Sequence, residues 1–273
     1  MFSPSVVFDN ILSVKNIYTA FVARREKDFD FKGESHDFWE LVYINGGTVG
    51  ITSGSRALEC KAGTAVLHKP GEFHRIWSVG STEPVYTVVT FDAEGELVSQ
   101  LKNVVVSLKS EGMDKMAQIS GLISSLDIGS SIFPRKLQSE PILAAKLQKL
   151  LETVLILCIE EKGNIAVKSA SPDAELFSQA VGIMKENISA PLSSDEIAAK
   201  MHISLSKLKR VFKKYALIGV HEYYFVLRMN KAVKMLGTGV SVGQCALECG
   251  FLNQNYFSAA FKKHFGVSPS EYK

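Results

Sequence analysis

SSDEIAAKMHISLSKLKRVFKK, residues 193–214, and SVGQCALECGFLNQNYFSAAFKK, residues 241–263, are two copies of one pattern, and their reading decides the fold. Each opens on a Ser followed three residues later by Glu or Gln: Ser193 with Glu196, and Ser241 with Gln244. That is the form of a capping box, in which the hydroxyl accepts from a backbone N–H and the longer side chain reaches back. A short helical run follows, then a turn (His202-Ile203 or Gly250-Phe251-Leu252), then a second N-cap at Ser204 or Asn253. The copies close alike on Phe212-Lys213-Lys214 and Phe261-Lys262-Lys263, and Glu222-Tyr223 is matched by Glu271-Tyr272. Helix, tight turn, helix, with a small Ala in the first helix of each copy, is the helix-turn-helix pattern.

The second helix of such a unit lies in the major groove of DNA, and the composition here suits that place. Leu208, Val211 and Phe212 share one face, while Ser206, Lys209, Arg210 and Lys213 share another. Arg210 suits bidentate contact with guanine, and Lys209 and Lys213 suit bases or phosphates. In the second copy Tyr256, Phe257, Ala260 and Phe261 supply apolar area, and Gln254, Asn255 and Ser258 face out. Amide side chains match adenine edges, and Lys262 and Lys263 are placed for phosphates. Val220 to Leu236 reads as one long connecting helix with an apolar stripe at Val226, Met229, Val233 and Leu236. A rigid connector would set the two reading helices in successive groove segments, about 34 Å apart on one face of the duplex. The competing reading is a helical bundle whose basic face is merely solvated or binds protein; the matched caps, matched endings and outward Gln, Asn and Arg favour double-stranded DNA.

Charge agrees with that partner. The net charge is only +3, but residues 1–170 hold 18 Lys and Arg against 20 Asp and Glu, whereas residues 171–273 hold 13 against 8. Upstream, residues 17–91 read as short strands, such as Phe38–Asn45 and Tyr86–Phe91, separated by turn signals such as Asn45-Gly46-Gly47 and Pro70-Gly71. Strands so spaced predict an antiparallel barrel or sandwich. Met116 to Leu126 is expected to be helical, and a longer helix is expected after Pro141. There Leu143, Leu147, Leu150, Val154 and Leu157 recur as a heptad seam, widened by Leu151 and Leu155. The seam reads either as a homodimer contact or as the packed face of a helix on its own domain. The expected domains are thus 1–110, 111–162 (helical, dimerising), a linker at 163–172, and 173–273. Cys60, Cys158, Cys245 and Cys249 form no CxxC pair, and Cys245 with Cys249 reads as core on one helical face. The Met-Phe-Ser-Pro opening lacks a signal peptide's basic region, and the run Val154–Ile159 is too short to span a bilayer, so a cytoplasmic protein off the membrane is expected.

The C-terminal residues resemble the AraC/XylS family of bacterial transcriptional regulators. The resemblance rests on Gly250-Phe251, Asn255-Tyr256-Phe257-Ser258, Phe261-Lys262-Lys263, Phe265-Gly266, Ser268-Pro269 and Glu271-Tyr272, with Arg228, Ala232 and Leu236 in the connector. It covers residues 180–273. It implies base contacts from Ser206, Lys209, Arg210, Gln254, Asn255 and Ser258, with Ala259 standing where relatives often carry a longer contacting side chain. Leu217 stands where the second copy has Gly266, so the first reading helix is expected to end differently. The resemblance also implies a cupin-like barrel in front that senses a small molecule, and RNA polymerase as a partner if the protein activates. The fold class is therefore α+β: an antiparallel barrel with flanking helices, plus an all-α domain of two helix-turn-helix units joined by a long helix.

Within the barrel, His36, Glu40 and Gly47 look like the end of a first cupin motif, and Gly63, Gly71 and His74 resemble a second. On a strand Glu34, His36, Phe38 and Glu40 would share one side. The expected effector pocket comprises His36, Phe38, Glu40, Tyr43, His74 and Trp77, with Trp39, Tyr43 and Trp77 either stacking on a sugar-like ligand or packing the barrel. No cofactor, no metal and no enzymatic activity are expected. The alternative for this domain is metal-dependent cupin activity at His36, Glu40 and His74, although Glu34 stands in place of a first His.

Overall fold

The computed structural model describes residues 11–54, 56–126, 137–164, 168–169 and 171–272. The Met-Phe-Ser-Pro opening and part of the expected linker, residues 165–167 and 170, lie outside the described residues. Two compact units divide the chain: the first takes the residues up to 170 apart from 55–57, and the second takes those three with the residues from 171 on.

In the first unit β1 (Ser13–Arg24), β7 (Val85–Glu94), β2 (Trp39–Gly46), β5 (Thr64–His68) and β8 (Val105–Ser107) form one sheet in that order. A second sheet runs β6 (Arg75–Ser78), β3 (Thr48–Ser53), β4 (Arg56–Lys61) and β9 (Lys168–Ser169). The described ladders of both sheets are antiparallel. Strand β9 lies within the stretch read as linker and pairs with β4. Because side chains alternate along a strand, the first sheet has two apolar faces. Val42, Ile44, Val66 and Val88 join Val49, Ile51 and Cys60 of the second sheet in one core. Leu41, Tyr43, Leu67, Val89 and Phe91 face the other way, onto α1 (Ser110–Ser125) and α2 (Pro141–Glu160). The layers are therefore helices, sheet, sheet.

Helix α2 spends its heptad repeat inside this unit. Leu147, Val154 and Leu157 are buried, and Leu143 and Leu150 pack on the same core, as do Leu151 and Leu155. The stripe expected as a dimer seam is thus the helix's own packing face, because the first sheet's outer apolar side must be covered. Each fully buried Leu or Val there contributes about 1.5–3 kcal/mol. Glu152 fixes the helix's register: its carboxylate accepts from Val14 N–H at 3.0 Å and from Lys149 Nζ at 2.8 Å, while Gln148 donates to the Val14 carbonyl at 2.7 Å.

From residue 171 on, the regular structure of the second unit is helical: α3 (Pro172–Glu186), α4 (Ser194–Lys200), α5 (Leu205–Tyr215), α6 (Val220–Gly237), α7 (Val242–Glu248) and α8 (Gln254–Phe265). Ser193 and Glu196 form the complete reciprocal box. At Ser241 only the hydroxyl half forms, because Gln244 turns instead to Glu248 at 3.0 Å. Phe212 and Phe177 anchor the first half; Phe251, Phe257 and Phe261 anchor the second, with Met229, Ala232 and Leu236 of α6. Cys245 and Cys249 are buried in that second core. The aligned residues Leu217 and Gly266 both take a left-handed φ, +61° and +81°, but the ends differ: α5 closes on Ala216 in the right-handed region with Leu217 one residue beyond, whereas Gly266 is itself the cap of α8.

Candidate functional site

Two features carry chemistry. The first is the pair of reading helices. Leu208, Val211 and Phe212 are wholly buried, which fixes the rotation of α5 and turns Ser206, Lys209, Arg210 and Lys213 to solvent. Phe257 and Phe261 do the same for α8, leaving Gln254, Asn255, Lys262 and Lys263 exposed and Ser258 half-buried. Ser204 caps α5 on Lys207 N–H, and Asn253 caps α8 on Asn255 and Tyr256 N–H. Lys207 is engaged with Asp173 and does not add to the exposed set. Tyr256, expected to supply apolar packing, is 67% exposed, and Leu252 just before α8 is fully exposed. The turn ahead of α8 is held from the connector. Arg228 donates to the Cys249 carbonyl at 2.6 Å and the Gly250 carbonyl at 2.8 Å, and its guanidinium lies 3.8 Å over the Phe251 ring. Lys231 donates to the Glu248 carbonyl at 2.6 Å. These cations satisfy the unpaired carbonyls at the C-terminal end of α7.

The second feature is a cavity of about 370 Å³ in the first unit. His36, Phe38, Glu40, His68, His74 and Arg75 line it, with Phe21, Phe31, Tyr86 and Thr90 on its walls. Glu40 is buried between His74 Nε2 at 3.3 Å and His36 Nε2 at 3.5 Å. Burial opposes its ionisation, but the two imidazoles prevail and hold the carboxyl far below the usual range. His74 is pushed up: burial opposes its charge, and Glu40 outweighs that. His68, stacked on His74 at 4.3 Å, is pushed down by burial and by His74. Glu72 is drawn down to about 2 against its burial, by His68 and Lys69. Arg75 is paired with Asp30, 2.5 Å from Nη2.

Comparison with known proteins covers both regions of the chain. The family model described as an AraC-like ligand binding domain matches residues 16–154, about half of the chain. The chain belongs to the AraC family of transcriptional regulators. A helix-turn-helix domain model matches residues 197–273 of this AraC-family chain. The HTH-type transcriptional activator RhaR of Mannheimia succiniciproducens is 24% identical across 92% of this chain and 90% of its own. The HTH-type transcriptional regulator ArgR of Pseudomonas aeruginosa is 43% identical over 96 residues, 35% of this chain, and the match spans only 29% of ArgR. Among solved structures, an AraC-type transcriptional regulator from Chromobacterium violaceum is 37% identical over 36% of this chain and 88% of its own, with a TM-score of 0.35.

Of the pocket residues expected in this AraC-family chain, His36, Phe38, Glu40 and His74 line the cavity together with Glu34. Tyr43 does not: it alternates with Val42 and points, like Trp39, into the helix-side core. Trp77 is not among the lining residues either; its ring covers Gly50, where a Cβ would come within 2.0 Å of it, and Arg75 packs on its face at 4.9 Å. Sequence reasoning missed His68 and Arg75. Both flank residues it did single out, since His68 opposes Glu40 in the β2–β5 ladder and Arg75 follows His74.

Proposed function

We propose that this AraC-family chain is a ligand-responsive transcriptional regulator in which α5 and α8 read two successive major-groove segments. The observation that carries the reading is the duplicated unit with its outward set: Ser206, Lys209, Arg210 and Lys213 on α5, and Gln254, Asn255, Ser258, Lys262 and Lys263 on α8. In this reading residues 173–273 bind DNA, residues 1–110 sense the effector, residues 111–162 brace the sensor, and 163–172 join them. The cavity in the first unit falls within the size of small-molecule sites. Its mix of carboxylate, imidazole and guanidinium with aromatic walls suits a compact polar effector of the sugar class. No catalytic step belongs to the reading.

Homodimerisation is part of the proposal, through the outward side of α2, where Ile142 is 74% exposed and Ile156 38%. Sedimentation of an Ile142→Lys, Ile156→Lys double variant then yields monomers; an unchanged assembly removes that face. RNA polymerase is the further partner where the protein activates. Among the described residues no helix is long and apolar enough to cross a membrane, and a cytoplasmic location follows from DNA as the target.

Salt dependence tests the DNA reading. If the exposed cations Lys209, Arg210, Lys213, Lys262 and Lys263 all neutralise phosphates, raising salt from 50 to 200 mM weakens binding of the full chain by about 500-fold. Binding that hardly responds to salt contradicts it.

A further inference from the structure

We infer that the cavity of the first unit holds a divalent transition-metal ion of the zinc or iron(II) kind, ligated by His36, Glu40 and His74, with Glu34 closing the set. The inference stands whether or not the cavity also takes an organic effector.

The argument begins with the two imidazoles. His36 Nδ1 lies 3.1 Å from the Phe38 carbonyl and His74 Nδ1 lies 3.0 Å from the Glu72 carbonyl. A carbonyl only accepts, so each Nδ1 carries the proton, and each Nε2 of a neutral ring is left with its lone pair. Both Nε2 atoms are buried and have no hydrogen-bond partner. They turn toward the same carboxylate, that of Glu40. A ring whose Nδ1–H is fixed by a backbone carbonyl, with Nε2 bare and facing a carboxylate, is a histidine oriented as a metal ligand.

The spacings fit an ion as well. Bonds of about 2.1 Å from zinc to nitrogen and oxygen put tetrahedral ligands about 3.4 Å apart. His74 Nε2 stands 3.3 Å from Glu40 and 3.9 Å from Glu34, and His36 Nε2 stands 3.5 Å from Glu40. The four donor atoms all lie within 4.8 Å of one another. Three come from buried or nearly buried side chains, while the Glu34 side chain is 53% exposed.

The His36 and His74 rings stand 4.9 Å apart, with His68 stacked on His74, around a single buried carboxylate. One divalent cation satisfies both bare nitrogens and the carboxylate at once. Two imidazoles with two carboxylates suit zinc, iron(II) and their neighbours, not the all-oxygen sites of calcium or magnesium.

Cobalt(II) tests the assignment, because its visible absorption reports the ligand set. Full-length protein is stripped with a chelator, freed of it, and titrated with Co²⁺, then with Zn²⁺ in competition. The expected result is one ion per chain, displaced by Zn²⁺. His74→Gln, checked for folding by circular dichroism, is expected to lose more than the 10–100-fold that an outer-shell change costs. Glu34→Gln, at an exposed position that leaves the fold alone, is expected to weaken binding by about tenfold, the lower end of the same scale. No saturable binding by folded wild-type protein at millimolar ion overturns the assignment. So does unaltered binding in both variants, which would place the ion elsewhere, at the Cys245 and Cys249 thiols for example.

Discussion

Replacing Arg228 with Ala isolates the link between the connector and the second reading helix. The guanidinium makes two charge-assisted hydrogen bonds, at 2.6 and 2.8 Å, to carbonyls at the end of α7 and in the turn, and lies on the Phe251 ring. Hydrogen bonds to charged groups contribute about 1.5–3 kcal/mol each, and a cation over an aromatic face about 0.5–1 kcal/mol at a partly exposed site. Arg228 is half-buried, so water recovers part of what is lost. The expected destabilisation is about 2–4 kcal/mol, below the simple sum because the contacts share one group. Urea denaturation of the full chain, followed by far-ultraviolet circular dichroism, measures it. The loss should fall on the half containing α7 and α8, so that contacts by Gln254 and Asn255 weaken while those by Lys209 and Arg210 persist. Arg228→Lys keeps a charge and one contact and should recover part of the loss. A change below about 0.5 kcal/mol, the range of ordinary surface substitutions, would refute the reasoning.

Three further outcomes follow from named contacts. Gly250→Ala puts a Cβ 2.6 Å from Pro191 Cδ and 2.9 Å from the Ile188 carbonyl at φ +73°, and should destabilise the helical unit by about 2–4 kcal/mol, read by the same denaturation. Leu147→Ala opens a cavity under the first sheet and should cost about 3 kcal/mol, whereas a residue serving only a dimer contact would leave the monomer's stability unchanged. All four cysteines are buried, and burial pushes Cys158 and Cys249 up to about 12. Ellman's reagent should therefore label none of them quickly until the protein is unfolded; fast labelling of any one would contradict its burial.

The duplicated unit was legible because its signals are local. Caps at Ser193, Ser204, Ser241 and Asn253 and the Phe-Lys-Lys endings stand at fixed spacing and need no knowledge of the rest of the fold. The alternating pattern 34–36–38–40 was legible for the same reason, although only Glu40 lies in a strand and Glu34 meets His74 through an isolated bridge. Tyr43 was misassigned because period-two alternation says which residues share a face, not which face looks inward; both faces of this sheet are covered. The heptad on α2 was ambiguous in sequence because a helix lying on a sheet and a helix in a coiled coil demand the same apolar spacing. His68 and Arg75 reach the cavity through pairings between distant segments, which no local pattern announces. Tyr256 was read as core from its aromatic ring, but Phe257 and Phe261 already fill that face of α8.

The most direct test of the account is to select random duplex DNA on the full-length protein at near-physiological salt and sequence what is retained. The account predicts a motif of two short recognised blocks about one helical turn, 10–10.5 base pairs, apart. Arg210→Ala should erase one block and Gln254→Ala with Asn255→Ala the other. Retention of no motif by folded protein, or of a motif indifferent to all three substitutions, would contradict the assignment of α5 and α8 as the reading helices.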